Sequence, residues 1–319
     1  MSRARSFTTN PLLFGSETDG NRAIVCDGLH PARVAVVSST AVEIAQYFLE
    51  PHTVDEGIGA GFERDDLDRA CEAAVLVPID APGYAASRMW EDRGWSRAAF
   101  LQMSQVDVEA AELSEERPSP PPWRPTAVRH VALPSVDITE PISLDALVRR
   151  RSVRSFGHTP MGLQALSEIL LRVGCPPSWL RVFLVVQDVD GLDHGVYRYE
   201  PVGHRLDLIR AGFDHSEALA AVNFQPWVAG SGACAFLVAQ WDLCSSLHPG
   251  SRGYIDLLIQ VGAYAQKMLE SVYQVGAGAW GTPAVAESAA RKLLSVERRG
   301  IDALYAIKFG PVPAAPRSH

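Results

Sequence analysis

Apolar residues recur at helical spacing in several parts of the chain. Residues 41–48 form an early stretch of this kind, residues 163–173 form another that runs to Gly174, and residues 255–275 form a long one that ends at Gly276. A glycine directly after the last apolar position is a common helix end. The pattern therefore predicts one short helix near the N-terminus and two amphipathic helices in the second half, the longer one centrally buried. A further helix, capped by Ser143 and carrying Leu144, Leu147 and Val148, is predicted before them.

Other apolar or β-branched runs have the length of strands. They are residues 34–37, 75–77, 181–186, 235–241 and 303–309. Helices and strands mix without strict alternation of the two, so we predict an α+β fold for the second half. The early elements predict a small winged-helix-like or α/β domain ahead of it.

Prolines concentrate in the sequence EERPSPPPWRP, which begins at Glu115. Proline removes backbone donors and favours an extended spacer. With 319 residues the chain is long enough for two domains. We therefore predict a substrate- or partner-binding domain at 1–113, a Pro-rich linker at 114–139 and a second domain at 140–319.

Composition excludes several classes of function. Apolar residues make up 47% and charged residues 21%, and the net charge of -8 argues against a broad nucleic-acid-binding face. No uncharged apolar stretch is long enough to span a membrane. The five cysteines are scattered and form no CxxC pair, which favours neither disulfides nor a metal site. We expect a cytoplasmic protein with no nucleic-acid or membrane partner.

The candidate functional side chains are concentrated in one basic segment. Residues 149–156, RRRSVRSF, place four guanidinium groups and two hydroxyls within eight positions beside a predicted helix. Guanidinium forks bind phosphate oxygens two at a time, and a hydroxyl adds a short donor. The segment is a candidate phosphate site; the alternative is a solvated basic turn that only caps the helix.

The same segment carries a family resemblance. RRSVRSF followed by MGLQALSEILLRVG resembles the entry to flavin nitroreductases, and residues 191–212 and 251–278 are similar to the azoline dehydrogenases of streptolysin-type and cyanobactin-type peptide biosynthesis. The resemblance implies a nitroreductase-like fold, FMN as cofactor and a homodimer whose flavin sites use both subunits. It implies that Arg150, Arg151, Ser152 and Arg154 hold the FMN phosphate and ribityl chain.

The sequence GAGAWGTPAVAES adds candidates near the C-terminus. Gly276 and Gly281 have no Cβ and would allow the backbone to approach a flavin, and Trp280 could stack on its ring. The alternative is a glycine helix cap with a core tryptophan. By the resemblance, Arg317 would be a further phosphate-binding residue.

The chain departs from the resembled branch where a Lys-Tyr pair usually precedes a Ser-Arg-Gly-Tyr turn. Here His248 and a proline stand in that place. Dehydrogenation of an azoline needs a base, so His248 is the first candidate and Tyr254 the next. The segment CPPSWL is also shorter than the loop that normally approaches the flavin.

These observations predict FMN-dependent oxidation of a heterocycle or C–N bond, such as azoline to azole, in a peptide or carrier-bound intermediate, with partner enzymes of the same pathway. One alternative is a catalytically silent member of the fold that binds a peptide or partner. A nicotinamide-dependent nitro- or quinone reductase accounts less well for the N-terminal half.

Overall fold

The computed structural model describes residues 5–10, 13–17, 22–27, 34–81, 84, 88, 98, 121–138, 144–247, 250–296 and 300–313. The chain divides into two compact units, Met1–Glu115 and Glu116–His319. The predicted site residues His248 and Arg317 lie outside the described residues.

The smaller unit combines two three-stranded antiparallel sheets, of order β5-β1-β6 and β2-β3-β4, with helices. Its elements are β1 (Ser6–Thr9), β2 (Leu13–Glu17), β3 (Arg22–Asp27), β4 (Val34–Ser38), α1 (Ser39–Tyr47), β5 (His52–Thr53), α2 (Val54–Gly59), α3 (Arg64–Glu72) and β6 (Leu76–Pro78). A core that includes Ile44, Phe48 and Leu67 packs α1 against α3. The unit is a small mixed α/β structure.

The larger unit contains a seven-stranded sheet and six described α-helices. Its elements are β7 (Arg129–Ala132), α4 (Leu144–Arg149), α5 (Leu163–Val173), β8 (Leu180–Asp188), β9 (Gly195–Glu200), β10 (Arg205–Ala211), α6 (His215–Ala221), a 3₁₀ turn (Pro226–Val228), β11 (Gly232–Gln240), α7 (Trp241–Leu247), α8 (Gly250–Gln274), β12 (Gly278–Thr282), α9 (Glu287–Leu293) and β13 (Ile301–Gly310).

The sheet has the order β12-β13-β11-β8-β9-β10-β7, and every neighbouring pair is antiparallel. One face carries a core shared with α5 and α8, and the other a core shared with α6 and α9. The central strands β8 and β11 are therefore covered on both sides, which explains their continuous apolar sequences. Mixed helices and strands confirm the predicted α+β class.

Part of the predicted linker belongs to the larger unit. Strand β7, within residues 114–139, pairs with β10. The backbone N–H of Trp123 donates to the side chain of buried Gln240 at 2.8 Å, and that amide donates to the carbonyl of Pro121 at 3.3 Å. The side chain of Gln240 thus supplies hydrogen bonds that a proline-rich segment cannot make internally.

Helix α8 follows the predicted range closely, but it is not buried all along. Val261, Met268 and Val272 are buried, whereas Leu258 and Ile259 remain exposed. The apolar stripe is wider than the contact with the sheet, so part of it faces away from the core. In the described part of the chain, no helix combines the length and hydropathy that crossing a membrane requires.

Candidate functional site

The basic segment lies along the edge strand β12. Ser152 forms a parallel bridge with Ala279, and the backbone N–H of Val153 donates to the carbonyl of Ala279 at 2.9 Å. A Cβ on Gly278 would lie 2.9 Å from the Val153 side chain. The glycine at 278 therefore lets the segment approach the sheet edge.

Backbone hydrogen bonds also hold the far end of this segment. The N–H of Gly157 donates to the carbonyl of Pro311 at 2.8 Å, and the N–H of Ser231 donates to the carbonyl of Gly157 at 3.1 Å. Phe156 is buried, while Arg154 remains exposed. Main-chain contacts thus fix both ends of the segment without using the basic side chains.

Arg154 lies on the ring of Trp280. Its guanidinium carbon is 3.8 Å from the ring centroid, a cation–π contact. The indole N–H of Trp280 is buried and has no hydrogen-bond acceptor among the described residues. Because a buried donor without a partner is costly, this N–H is suited to an acceptor atom of a ligand.

Arg150 and Arg151 have different surroundings. Burial raises the pKa of the Tyr305 phenol, and the positive charge of Arg150 partly opposes that rise, which places Arg150 beside Tyr305. The guanidinium of Arg151 donates to the carbonyls of Val148 and Arg150, both at 3.0 Å. Arg151 therefore caps the end of α4, as the alternative interpretation of the basic segment proposes.

The donor set fits a phosphate group. Within the described ranges, no carboxylate pairs with Arg150, Arg151 or Arg154. Ser152 is exposed beside them. Guanidinium groups that are not neutralised internally, together with a hydroxyl, match the oxygens of a phosphomonoester.

The structure gives the other candidate glycines packing roles. Gly276 has φ +76° just beyond α8, and its N–H donates to the carbonyl of Tyr273 at 2.9 Å, so it ends the helix. A Cβ on Gly281 would lie 2.9 Å from the ring of Tyr305. Close approach of either glycine to a flavin stays a prediction.

Tyr254 and the Trp280 contact of the basic segment lie toward opposite ends of β13. Tyr254 is 41% exposed at the start of α8, and its ring centroid lies 5.7 Å from that of Trp241, whose indole donates to Asp302 at 2.7 Å. Trp280 pairs with Lys308 at the other end of β13. At about 3.3 Å per residue along β13, these two ends are roughly 20 Å apart.

Sequence reasoning missed Lys308. Its ammonium donates to the side-chain oxygen of Gln187 at 3.1 Å and to the carbonyls of Gly230 and Ser231 at 3.0 and 2.9 Å. Burial lowers its pKa to about 8. The available signal is one lysine within the otherwise apolar run LYAIKFG, where a charge is unexpected in a buried strand.

Known proteins resemble this chain in sequence and in structure. No protein-family model matches it. A putative nitroreductase of Methanocaldococcus jannaschii, MJ1384, is 28% identical over 176 residues, which cover 50% of this chain and 88% of that protein. The trifolitoxin operon protein TfxC of Rhizobium leguminosarum bv. trifolii is 28% identical over 277 residues, with coverage of 72% and 77%.

A solved structure shows the same fold. The crystal structure of a putative nitroreductase from Ralstonia eutropha JMP134 superposes with a TM-score of 0.50 and 22% identity, and covers 61% of this chain and 95% of that one. The larger unit accordingly has a nitroreductase-like fold, which confirms the predicted fold.

Proposed function

We propose that this protein is an FMN-dependent oxidoreductase that dehydrogenates a heterocycle or C–N bond in a peptide or carrier-bound natural-product intermediate, such as an azoline. The observation that carries the proposal is the basic segment held by its main chain along β12. In the described part of the chain, the guanidinium groups of Arg150, Arg151 and Arg154 form no ion pair with a carboxylate, and the fold is nitroreductase-like.

The residues that would hold FMN follow from this geometry. Arg150, Ser152 and Arg154 supply charge-assisted donors for the phosphate, and the unpartnered indole N–H of Trp280 supplies another donor nearby. Arg151, which caps α4, and Arg317 are secondary candidates. FMN, when bound, supplies a two-electron acceptor for the oxidation.

The peptide part of the proposal draws support from TfxC, which is named as a protein of the trifolitoxin operon. The larger unit makes up less than two thirds of this chain, so a match over 72% of the chain extends into the smaller unit. We infer that the smaller unit holds the peptide or a partner enzyme of the pathway.

The proposal includes a homodimer. Dehydrogenation needs a proton acceptor, for which His248 and Tyr254 are the candidates, but Tyr254 lies at the opposite end of β13 from Arg154 in one chain. A second copy can bring the start of its α8 to this basic segment. Exposed apolar side chains on the neighbouring helices α4 and α8 provide a surface for it, namely Leu144, Leu147, Val148, Leu258 and Ile259.

One observation favours the catalytically silent alternative. The short loop between α5 and β8 packs into the core, because Trp179 is buried and the hydroxyl of Tyr264 donates to the carbonyl of Gly174 at 3.1 Å. A loop held in this way does not extend over a ligand. This alternative keeps peptide binding and loses the redox step.

The visible spectrum of the purified protein tests the proposal, since bound oxidised flavin is yellow. The double variant Arg150→Ala/Arg154→Ala should lose the flavin, because each charge-assisted contact is worth about 1.5–3 kcal/mol. Arg64→Ala and Arg129→Ala, which remove exposed arginines paired with Asp55 and Asp193, are matched controls that should keep it.

Full flavin occupancy in the double variant would refute the site assignment. Flavin binding by the wild type without turnover of any azoline peptide would instead favour the silent alternative. Absence of flavin after reconstitution with FMN would refute the proposed function as a whole.

A further inference from the structure

Lys308 is a fully buried cation with neutral hydrogen-bond partners. Three groups accept from its ammonium: the side-chain oxygen of Gln187 and the carbonyls of Gly230 and Ser231. Among the described residues, no carboxylate forms an ion pair with it. Burying a charge without an ion partner is costly, so its presence in a core strand calls for a specific role.

The turn that Lys308 holds also holds the basic segment. The N–H of Ser231 donates to the carbonyl of Gly157, directly after Phe156. Gly230 has φ +89°, and a Cβ on it would lie 2.9 Å from the Cβ of Phe156. The ammonium of Lys308 is 5.3 Å from the centroid of the Phe156 ring. Lys308 therefore contacts both the turn and the segment's last buried side chain.

We propose that Lys308 is a positioning residue for the phosphate site: through the Gly230–Ser231 turn and Phe156 it fixes the end of the basic segment, so that Arg154 stays on Trp280. The inference rests on the proposed function, because the phosphate is that of FMN. Lys308 is also the cross-strand neighbour of Trp280 in the β12–β13 pair, so the two side chains lie on the same face of the sheet.

Protonation state decides how many of these bonds Lys308 can make. The ammonium has three donors for three acceptors, whereas the neutral amine has two and leaves one acceptor without a partner. Burial lowers the pKa of Lys308 to about 8, and the negative charge of Asp188 partly opposes that shift; the thiol of Cys234 stays neutral in this range because burial raises its pKa to about 12.

The affinity for FMN should therefore be highest below about pH 8 and should fall by up to about tenfold at pH 9. The phosphate does not titrate in this range, since its second pKa is about 6. Global stability moves in the opposite direction: between about 8 and the unfolded value of 10.5 the unfolded chain binds more protons, so this residue favours folding as the pH rises. Deprotonation of Lys308 therefore does not unfold the protein in this range, so unfolding cannot account for the expected fall in FMN affinity.

Fluorescence titration with FMN at pH 7 to 9.5 tests the inference in three proteins. The wild type should show the decline described above. Lys308→Met should bind several-fold more weakly at pH 7 and show no decline. Gln187→Glu places a carboxylate beside the ammonium, which should move the midpoint of the decline to higher pH.

Wild-type affinity in Lys308→Met, or an unmoved midpoint in Gln187→Glu, would overturn the inference and leave the proposed function standing. If the wild type binds no FMN, the proposed function fails, and amide hydrogen exchange then decides the inference. Faster exchange of the Ser231 amide in Lys308→Met than in the wild type would support the positioning role, and equal exchange would refute it.

Discussion

The guanidinium of Arg154 lies 3.8 Å from the centroid of the Trp280 ring, and this contact joins the basic segment to the edge strand β12. One face of the indole is occupied by the cation, so the predicted stacking of Trp280 on a flavin can use only its other face. Trp227, whose ring centroid lies 6.2 Å from that of Trp280, packs nearby. In the proposed site, Trp280 therefore contacts Arg154 with one face of its ring and donates its indole N–H to the ligand.

The first prediction separates these two contributions. Trp280→Phe keeps an aromatic face for Arg154 and removes the N–H, whereas Trp280→Ala removes both. A cation–π contact is worth about 0.5–2 kcal/mol, so Trp280→Ala should weaken FMN binding by roughly 2- to 30-fold, and Trp280→Phe by less. Titration with FMN measures both, with Trp241→Phe at the other end of β13 as control. Equal affinity in wild type and Trp280→Ala would refute the role of Trp280.

The sequence predicts this site unevenly, for physical reasons. The basic segment is visible because its residues are contiguous, and β11 and β13 are visible because both faces are apolar. The contact of Arg154 with Trp280 depends on the bridge between Ser152 and Ala279, a long-range pairing that no local pattern specifies.

Strands β9 and β10 are hidden in the sequence by their charges. Arg198 and Asp207 are buried on adjacent strands and pair with each other. Charged residues are ordinarily exposed, so the sequences of these two strands do not predict buried strands. Only the three-dimensional pairing makes these residues compatible with the core.

The second prediction concerns the charge network at Asp207. Burial by itself would raise the pKa of this carboxyl, but hydrogen bonds from Arg198, His130 and Arg205 hold it below its ordinary value. The resulting stability is present above the ordinary carboxyl pKa and is lost as the pH falls through the lowered one. Asp207→Asn should reduce the acid dependence of the unfolding free energy.

At neutral pH the same variant should be less stable by roughly 3 kcal/mol, because buried Arg198 loses the carboxylate of Asp207 and keeps its ion pair with Glu200. Urea unfolding at several pH values measures both effects. Asp193→Asn, which removes an exposed carboxylate paired with Arg129, is the control and should change little. An unchanged pH profile in Asp207→Asn would show that this network does not govern acid stability.

The third prediction concerns the proposed dimer surface. Ile259 on α8 is 64% exposed, so a charge there costs the monomer little but would be desolvated in an interface. Light scattering should give about twice 34.6 kDa for the wild type and the monomer mass for Ile259→Asp. Val202→Asp, at a still more exposed apolar position in a turn, should remain dimeric. A monomeric wild type with bound flavin would contradict the proposed assembly.

The last prediction tests whether each site combines the basic segment of one copy with the catalytic candidates of the other. The variant Arg150→Ala/Arg154→Ala should lack flavin, and the variant His248→Ala/Tyr254→Phe should bind flavin but lack the proton acceptor, so each alone should be inactive. In a twofold-symmetric mixed dimer, one site combines the altered basic segment of one copy with the altered proton acceptor of the other. The second site combines the two unaltered sets. Random exchange of subunits makes half of the dimers mixed, which restores roughly a quarter of the wild-type sites.

Turnover of an azoline peptide should therefore reappear when the two inactive proteins are mixed under exchange conditions, and it should not reappear when Ile259→Asp is added to both. No recovery despite confirmed mixed dimers would place the basic segment and the proton acceptor of each site within a single chain.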